Sequence, residues 1–346
     1  MPEKYLYEEL KEKAFDYGIS KSQIPDFIVD NLKYPLFAWQ KNAIENFLTY
    51  EEIRKEEGGL KPLHLMFNMA TGTGKTLVMA ALILYFYKKG YKNFIFFVNQ
   101  NNIVDKTENN FINKSHSKYQ FKQNIVIDNK TVQIKKVDTF LSKSEDIQIK
   151  FTSIHKLHNA VYLAKENSVF LEELQRQDLI MLGDEAHHFN ATTKKNKPVQ
   201  LSLSGELSES ASQEEIEKSW EDTAINKILK RGNNNKNKQN NNALLEFTAT
   251  IPRDQSVDDK YRDKIIYKFT LESFLDAGYT KEINLVSSTL NKKERILSVL
   301  LLNWYRHSIA VKNNLPNFKP VILFRSKTIE DSRKDFDEFL DIVKKL

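Results

Sequence analysis

Seven consecutive residues, Ala70-Thr71-Gly72-Thr73-Gly74-Lys75-Thr76, have the types and spacing to hold a phosphate chain. Glycines let the backbone curl so that successive N–H groups face one anion. A helix opening behind them adds roughly half a positive charge at its N-terminus. Lys75 can reach the outer phosphates, and the Thr76 hydroxyl can coordinate magnesium. Further along, Asp184-Glu185-Ala186-His187 follows the apolar run Leu179–Gly183. Phosphoryl transfer needs two carboxylates at such a strand end, one for the metal and one to orient or deprotonate water. Adjacent residues suit this, because a chain leaving a strand can aim both at one place. Asp184 is the expected metal partner, Glu185 the expected base, and His187 a reporter of nucleotide state. His187 and His188 do not suggest a zinc pair, since neighbours on extended chain point apart.

The elements that must position these groups are legible as pattern. Short apolar runs alternate with helical stretches, which predicts a parallel sheet with crossover helices, an α/β fold. The expected strands are Leu63–Met69, Phe94–Asn99, Leu179–Gly183 and Leu244–Phe247, with weaker ones near Ile125–Ile127 and Ile147–Thr152. Leu6, Leu10 and Ala14 recur at helical spacing, as do Ala43, Ile44, Phe47 and Leu48 after the Tyr34-Pro35 break. The apolar run Leu77–Tyr87 is too short to cross a bilayer and sits directly behind the phosphate loop, so it reads as a buried helix. In such a sheet the loop and Asp184 fall at the carboxyl ends of strands, on one crevice.

The 346 residues carry a formal charge of +6, a pI near 9.0, 40% hydrophobic residues and no cysteine. That length can bury a substantial core. The basic balance suits a polyanion. The lack of cysteine excludes disulfides, thiolate metal sites and a thiol nucleophile, and fits a cytoplasmic protein. The opening residues mix charges into their apolar positions and lack a signal peptide's core. Residues 205–222 are dense in carboxylates and read as a solvated insertion. Residues 231–242 are asparagine-rich and offer almost nothing to bury, which predicts a mobile loop.

The two principal motifs resemble motifs I and II of superfamily-2 helicases, whose phosphate loop takes the A-x-x-G-x-G-K-T form. Four weaker matches follow the expected order. Leu36-Phe37-Ala38-Trp39-Gln40 resembles the segment whose glutamine recognises adenine, with Gln40 offering donor and acceptor and Phe37 packing beside the base. Phe96–Gln100 with Asn101 and Asn102 resembles motif Ia. Phe151-Thr152-Ser153-Ile154-His155-Lys156 resembles the next strand-contacting segment. Phe247-Thr248-Ala249-Thr250 resembles motif III, in which Thr248 and Thr250 couple the ATP site to the nucleic-acid groove. The wording Phe97–Val104 with Lys106-Thr107, Ser153–Asn159 and Asp276–Ile283 is similar to the Res subunit of type III restriction enzymes.

The resemblance implies a RecA-like P-loop lobe using ATP and Mg2+, acting on double-stranded DNA beside a methyltransferase subunit, with no membrane role. It also implies nucleic-acid contacts at Asn99, Asn102, Lys106, Thr152 and Lys156. The expected organisation is an N-terminal helical extension (1–33), the first lobe (34–277), and a linker with the truncated start of a second RecA-like lobe (278–346). That last part is expected to carry a helix at Lys293–Lys312, a strand at Val321–Phe324 and a final amphipathic helix. Within these residues there is no Gln-x-x-Gly-Arg pattern for an arginine finger, and no Asp followed by a strand-borne Glu-x-Lys for a nuclease. Weak turnover and no DNA cleavage are therefore expected of this chain by itself. Two other readings remain open: a superfamily-2 motor acting on another DNA or RNA substrate, or a nucleotide-binding module without motor activity.

Overall fold

The computed structural model describes residues 4–59, 62–162, 167–186, 221–230, 240–251, 255–279, 287–315 and 317–345. The chain divides into two compact units, residues 1–281 and 282–346.

In the first unit seven strands form one sheet: β1 (Leu63–Met69), β2 (Asn93–Val98), β5 (Ile134–Lys136), β6 (Ile147–Ser153), β7 (Leu179–Asp184), β8 (Ala243–Thr248) and β9 (Ile265–Phe269). Their order is β5-β6-β2-β7-β8-β1-β9, and every pairing is parallel. The central strands are buried along nearly their whole length, which explains why they read as continuous apolar runs rather than alternating ones. Alternation reappears in what each side chain meets. Leu65, Phe67 and Met69 of β1 join one core, whereas Met66 joins the other. Helices therefore cover both faces, as in a RecA-like lobe.

The first core receives α1 (Leu6–Asp16), α2 (Asp26–Val29), α3 (Ala38–Glu56), α4 (Lys75–Lys88) and α5 (Asn101–Ile112). Leu6, Leu10 and Ala14 of α1 are buried there, and α1 packs against α3 and β9. The α4 run from Leu77 to Phe86 is buried on all sides. Among the described residues, no helix is long and apolar enough to cross a membrane. The second core receives residues of α6 (Ile154–Tyr162), α7 (Asn167–Arg176), a π-helix labelled α8 (Asp222–Leu229), and α9 (Gln255–Tyr261). A short α10 (Leu271–Asp276) follows β9.

Three details depart from the sequence pattern. Ile125–Ile127 is a strand (β3), but it pairs antiparallel with β4 (Lys130–Val132) outside the main sheet. Asp128 and Asn129, both at positive φ, make the two-residue turn that such a hairpin needs. Val321–Phe324 has no strand partner among the described residues, and Val321 and Leu323 are 90% and 92% exposed. A buried-type run forms a strand only where a neighbouring edge receives it. The asparagine-rich tract is structural at its end: Asn242 accepts from Leu179 N–H and donates to the Ile228 carbonyl, and Asn240 donates to that of Leu229. Its preceding residues, His187, His188 and nearly all of the 205–222 insertion lie outside the described residues.

In the second unit, α11 (Lys292–Lys312) opens with an Asn291–Glu294 capping box, and α12 (Ile329–Lys344) is capped by Thr328. Phe324 packs on Phe339, with ring centroids 5.3 Å apart.

Candidate active site

The phosphate loop leaves β1 at Ala70 and enters α4 at Lys75. Gly72 and Gly74 have φ of 87° and 80°, the left-handed region in which side chains are strained. At Gly74 space forbids one as well, because a Cβ would lie 2.2 Å from Gln40 Nε2. The Thr73 hydroxyl donates to the Ala70 carbonyl at 2.7 Å, closing the turn from inside. Thr71 and Gly72 are exposed, and Thr76 is half-buried at the start of α4. Lys75 Nζ lies over the loop and donates to the Met69 carbonyl at 3.2 Å.

Two strands away, β7 delivers the carboxylates. β8 separates it from β1, and the parallel registers bring all three strand ends to one edge of the sheet. Burial pushes the Asp184 carboxyl up to about 6. The nearby Lys75 ammonium pulls it down, and the Glu185 charge raises it further. The loop's lysine and the strand-end aspartate thus share one field, which a bound cation would strengthen in favour of the carboxylate. Glu185 has φ of 55°, unusual for a residue with a side chain, and its N–H donates to Asp184 Oδ1 at 3.0 Å. Backbone strain of this kind persists where the surroundings over-determine it. A glycine-bearing loop ahead of the α4 N-terminus, with Lys75, Thr76 and Asp184 at the same sheet edge, fits a nucleotide polyphosphate with Mg2+. Magnesium accepts few protein ligands and keeps the rest for water and phosphate oxygens.

Around the loop the structure gives Gln40 and Phe37 other partners than the base and adds Trp39 and Asn68, which pattern reading left without a role. Gln40 is only 2% exposed, and its amide is committed. Its Oε1 accepts the Phe37 N–H at 2.9 Å, while Nε2 donates to the carbonyls of Thr73 at 3.0 Å and Gly74 at 3.3 Å. In this geometry Gln40 braces the loop, and reading an adenine edge would require releasing those bonds. Phe37 stacks on Trp39 at 4.6 Å and meets the Tyr279 ring edge-on. Phe269, Phe274 and Tyr279 complete an aromatic cluster about Trp39. The signal for Trp39 was present: a tryptophan at a helix start, whose indole N–H needs an acceptor once buried.

Motif III also has an internal order. Thr248, fully buried, donates its hydroxyl to the Thr250 carbonyl at 2.7 Å, and Asn68 Nδ2 donates to the Thr248 carbonyl at 3.3 Å. Asn68, also absent from the sequence reading, joins the loop's strand to Thr248 one residue before the carbonyl that receives Lys75. Of the expected nucleic-acid contacts, Asn99 directly follows β2, whose end pairs with the end of β6, with Asn102 and Lys106 exposed on α5 and Lys156 exposed on α6. Thr152 is buried, and its hydroxyl turns to the Ser153 carbonyl at 3.2 Å, which leaves its side chain facing the interior. His187 lies outside the described residues.

Comparison with known proteins agrees with this geometry. The family described as "Type III restriction enzyme, res subunit" matches residues 33–253. The "Probable type III restriction-modification enzyme HindVIP Res subunit" of Haemophilus influenzae is 53% identical over 325 residues, 92% of this chain and 62% of that protein. The chain therefore spans less than two thirds of this relative's length. With its RecA-like sheet and the motifs at that sheet's carboxyl edge, the chain belongs to the type III restriction enzyme Res subunit family, as a helicase-like motor region.

Proposed function

We propose that this chain binds ATP with Mg2+ between the Ala70–Thr76 loop and the β7 carboxylates, and that the site belongs to a motor acting on duplex DNA in a type III restriction system. The observation that carries this reading is the placement of the Ala70–Thr76 loop after β1 and of Asp184 at the end of β7 on one edge of the parallel sheet, with Gly72 and Gly74 both at positive φ and Lys75 opening α4. Thr71, Gly72 and Gly74 contribute backbone N–H groups, Thr73, whose N–H turns back to the Ala70 carbonyl at 3.3 Å, holds the turn, and Lys75 carries the charge opposite the outer phosphates. Thr76 and Asp184 would hold Mg2+, which, when bound, neutralises charge on the phosphates. Glu185 accepts a proton from the attacking water or orients it. Thr248 and Thr250 pass the loop's state along the strand edge through Asn68, and His187 follows the carboxylates in sequence as a further coupling group.

Duplex DNA is the proposed polymer, touched by Asn99, Asn102, Lys106 and Lys156, with a methyltransferase subunit as protein partner. The name of the Haemophilus protein, a restriction-modification enzyme, supports that assignment. These 346 residues have neither the arginine-finger pattern nor the nuclease pattern, so slow hydrolysis and no DNA cleavage are proposed for the chain by itself. An arginine finger is typically worth a thousandfold or more in rate. The test is phosphate release with and without duplex DNA, for wild type, Lys75→Ala and Glu185→Gln. Slow release that both substitutions abolish supports the reading. Release that survives Lys75→Ala contradicts it.

A further inference from the structure

We infer that Trp39 is a positioning residue for the phosphate loop, one that acts through the polyphosphate rather than the base; this rests on the nucleotide-site reading above. Trp39 sits in the first turn of α3, away from the loop in sequence, and is almost wholly buried. Its indole Nε1–H donates to the Thr73 carbonyl at 2.9 Å. Gln40 Nε2 donates to the same oxygen at 3.0 Å, so both lone pairs of that carbonyl are engaged from α3. A trans peptide is planar, with its C=O and the following N–H pointing in opposite directions. Fixing the Thr73 carbonyl towards α3 therefore fixes the Gly74 N–H away from it. That N–H is among the donors a phosphate meets at the start of α4.

Gly74 has φ of 80° and no side chain, so little else in its own covalent structure restrains this peptide plane. The indole is itself held by stacking against Phe37 at 4.6 Å and Phe269 at 5.3 Å. Tyr279 at 4.8 Å and Phe274 at 5.5 Å meet it edge-on. A ring fixed on so many sides can direct a backbone carbonyl without the entropy loss that a flexible donor would carry.

The experiment compares wild type with Trp39→Phe, which keeps an aromatic ring and removes the N–H. Affinity is measured for ATP·Mg and for tripolyphosphate, which has no base, and the thermal midpoint of each free protein is recorded. The expected result is a loss of roughly 5–10-fold for both ligands, the worth of one hydrogen bond at a charged site. Unchanged ATP affinity overturns the inference. So does a loss for ATP with tripolyphosphate binding retained, or absent from both proteins, since the ring would then serve the base. If Trp39→Phe fails to fold, the emission of Trp39 in a Trp220→Phe, Trp304→Phe background is read instead. It should change when tripolyphosphate is added, and unchanged emission overturns the inference. Wild type that binds no ATP, like Lys75→Ala, would remove the nucleotide reading itself; wild type that binds while Trp39→Phe binds equally removes only the role of Trp39.

Discussion

The two ends of the strand edge are built differently. At β1, side-chain donors pin successive carbonyls: Lys75 holds that of Met69, Thr73 that of Ala70, and Gln40 with Trp39 that of Thr73. At β2 and β6, Asn102, Lys106 and Lys156 stand exposed on helices. The first arrangement suits a ligand of fixed shape, for which a small displacement of a donor is costly. The second suits a polymer whose phosphates repeat, where many weak contacts add up and no single one decides. Single substitutions should therefore have large effects at the β1 end and small ones at the β2–β6 end.

Gly74→Ala should break the first end most severely. The added Cβ meets Gln40 Nε2 and must adopt φ of 80°, so ATP affinity in calorimetry should fall at least about 100-fold, with a stability cost of about 1–3 kcal/mol. Retained affinity would show that the loop is more pliant than its hydrogen bonds suggest. Glu185→Gln should leave ATP binding nearly intact and lower single-turnover hydrolysis about 100-fold or more, as expected for loss of a general base. Equal losses in both would place Glu185 in binding instead.

A smaller effect concerns His158 on α6, buried against Thr223 of α8 with Nδ1 2.8 Å from its hydroxyl. Burial lowers its pKa to about 4, below the ordinary 6.5. As pH falls from 6.5 towards 4, the unfolded chain takes a proton that the folded one refuses, so stability falls on the order of 1–3 kcal/mol. Asp184, raised to about 6, acts in the opposite sense over part of that range, so the comparison must be between variants. Denaturant melts between pH 4 and 7 should show a flatter acid limb for His158→Asn than for wild type. At the β2–β6 end, Lys156→Ala or Asn99→Ala should weaken duplex binding only a few-fold, and Lys156→Ala should also lower the salt slope by about one. Thr152→Ala, with its hydroxyl turned inward, should not change duplex affinity measurably.

The same contrast explains what the sequence disclosed. The phosphate loop and the Asp184-Glu185 pair are local: their chemistry requires fixed spacing beside a buried strand, and both strand and spacing are visible in the chain. The four main strands were legible because both faces of each are covered, leaving unbroken apolar runs. β9, with the mixed run Ile-Ile-Tyr-Lys-Phe, was not read as a strand, and Val321–Phe324 was read as one although nothing among the described residues pairs with it. Strand pairing depends on a neighbour that local pattern does not contain. The bonds by which Trp39, Gln40 and Asn68 hold backbone carbonyls were hidden for a related reason. Each acts on a carbonyl remote in sequence, and a carbonyl leaves no mark in composition or period. Asn242 shows the converse: its asparagine-rich surroundings suggested a loop, while one buried amide joins β7 to α8.

The central claim is a nucleotide site made jointly by the Ala70–Thr76 loop and the β7 carboxylates. Calorimetric titration of ATP·Mg into wild type, Lys75→Ala and Asp184→Asn tests it most directly. Measurable binding by wild type, lost in Lys75→Ala and dependent on Mg2+ in wild type but not in Asp184→Asn, is the predicted result. Binding that is indifferent to both substitutions would contradict the account.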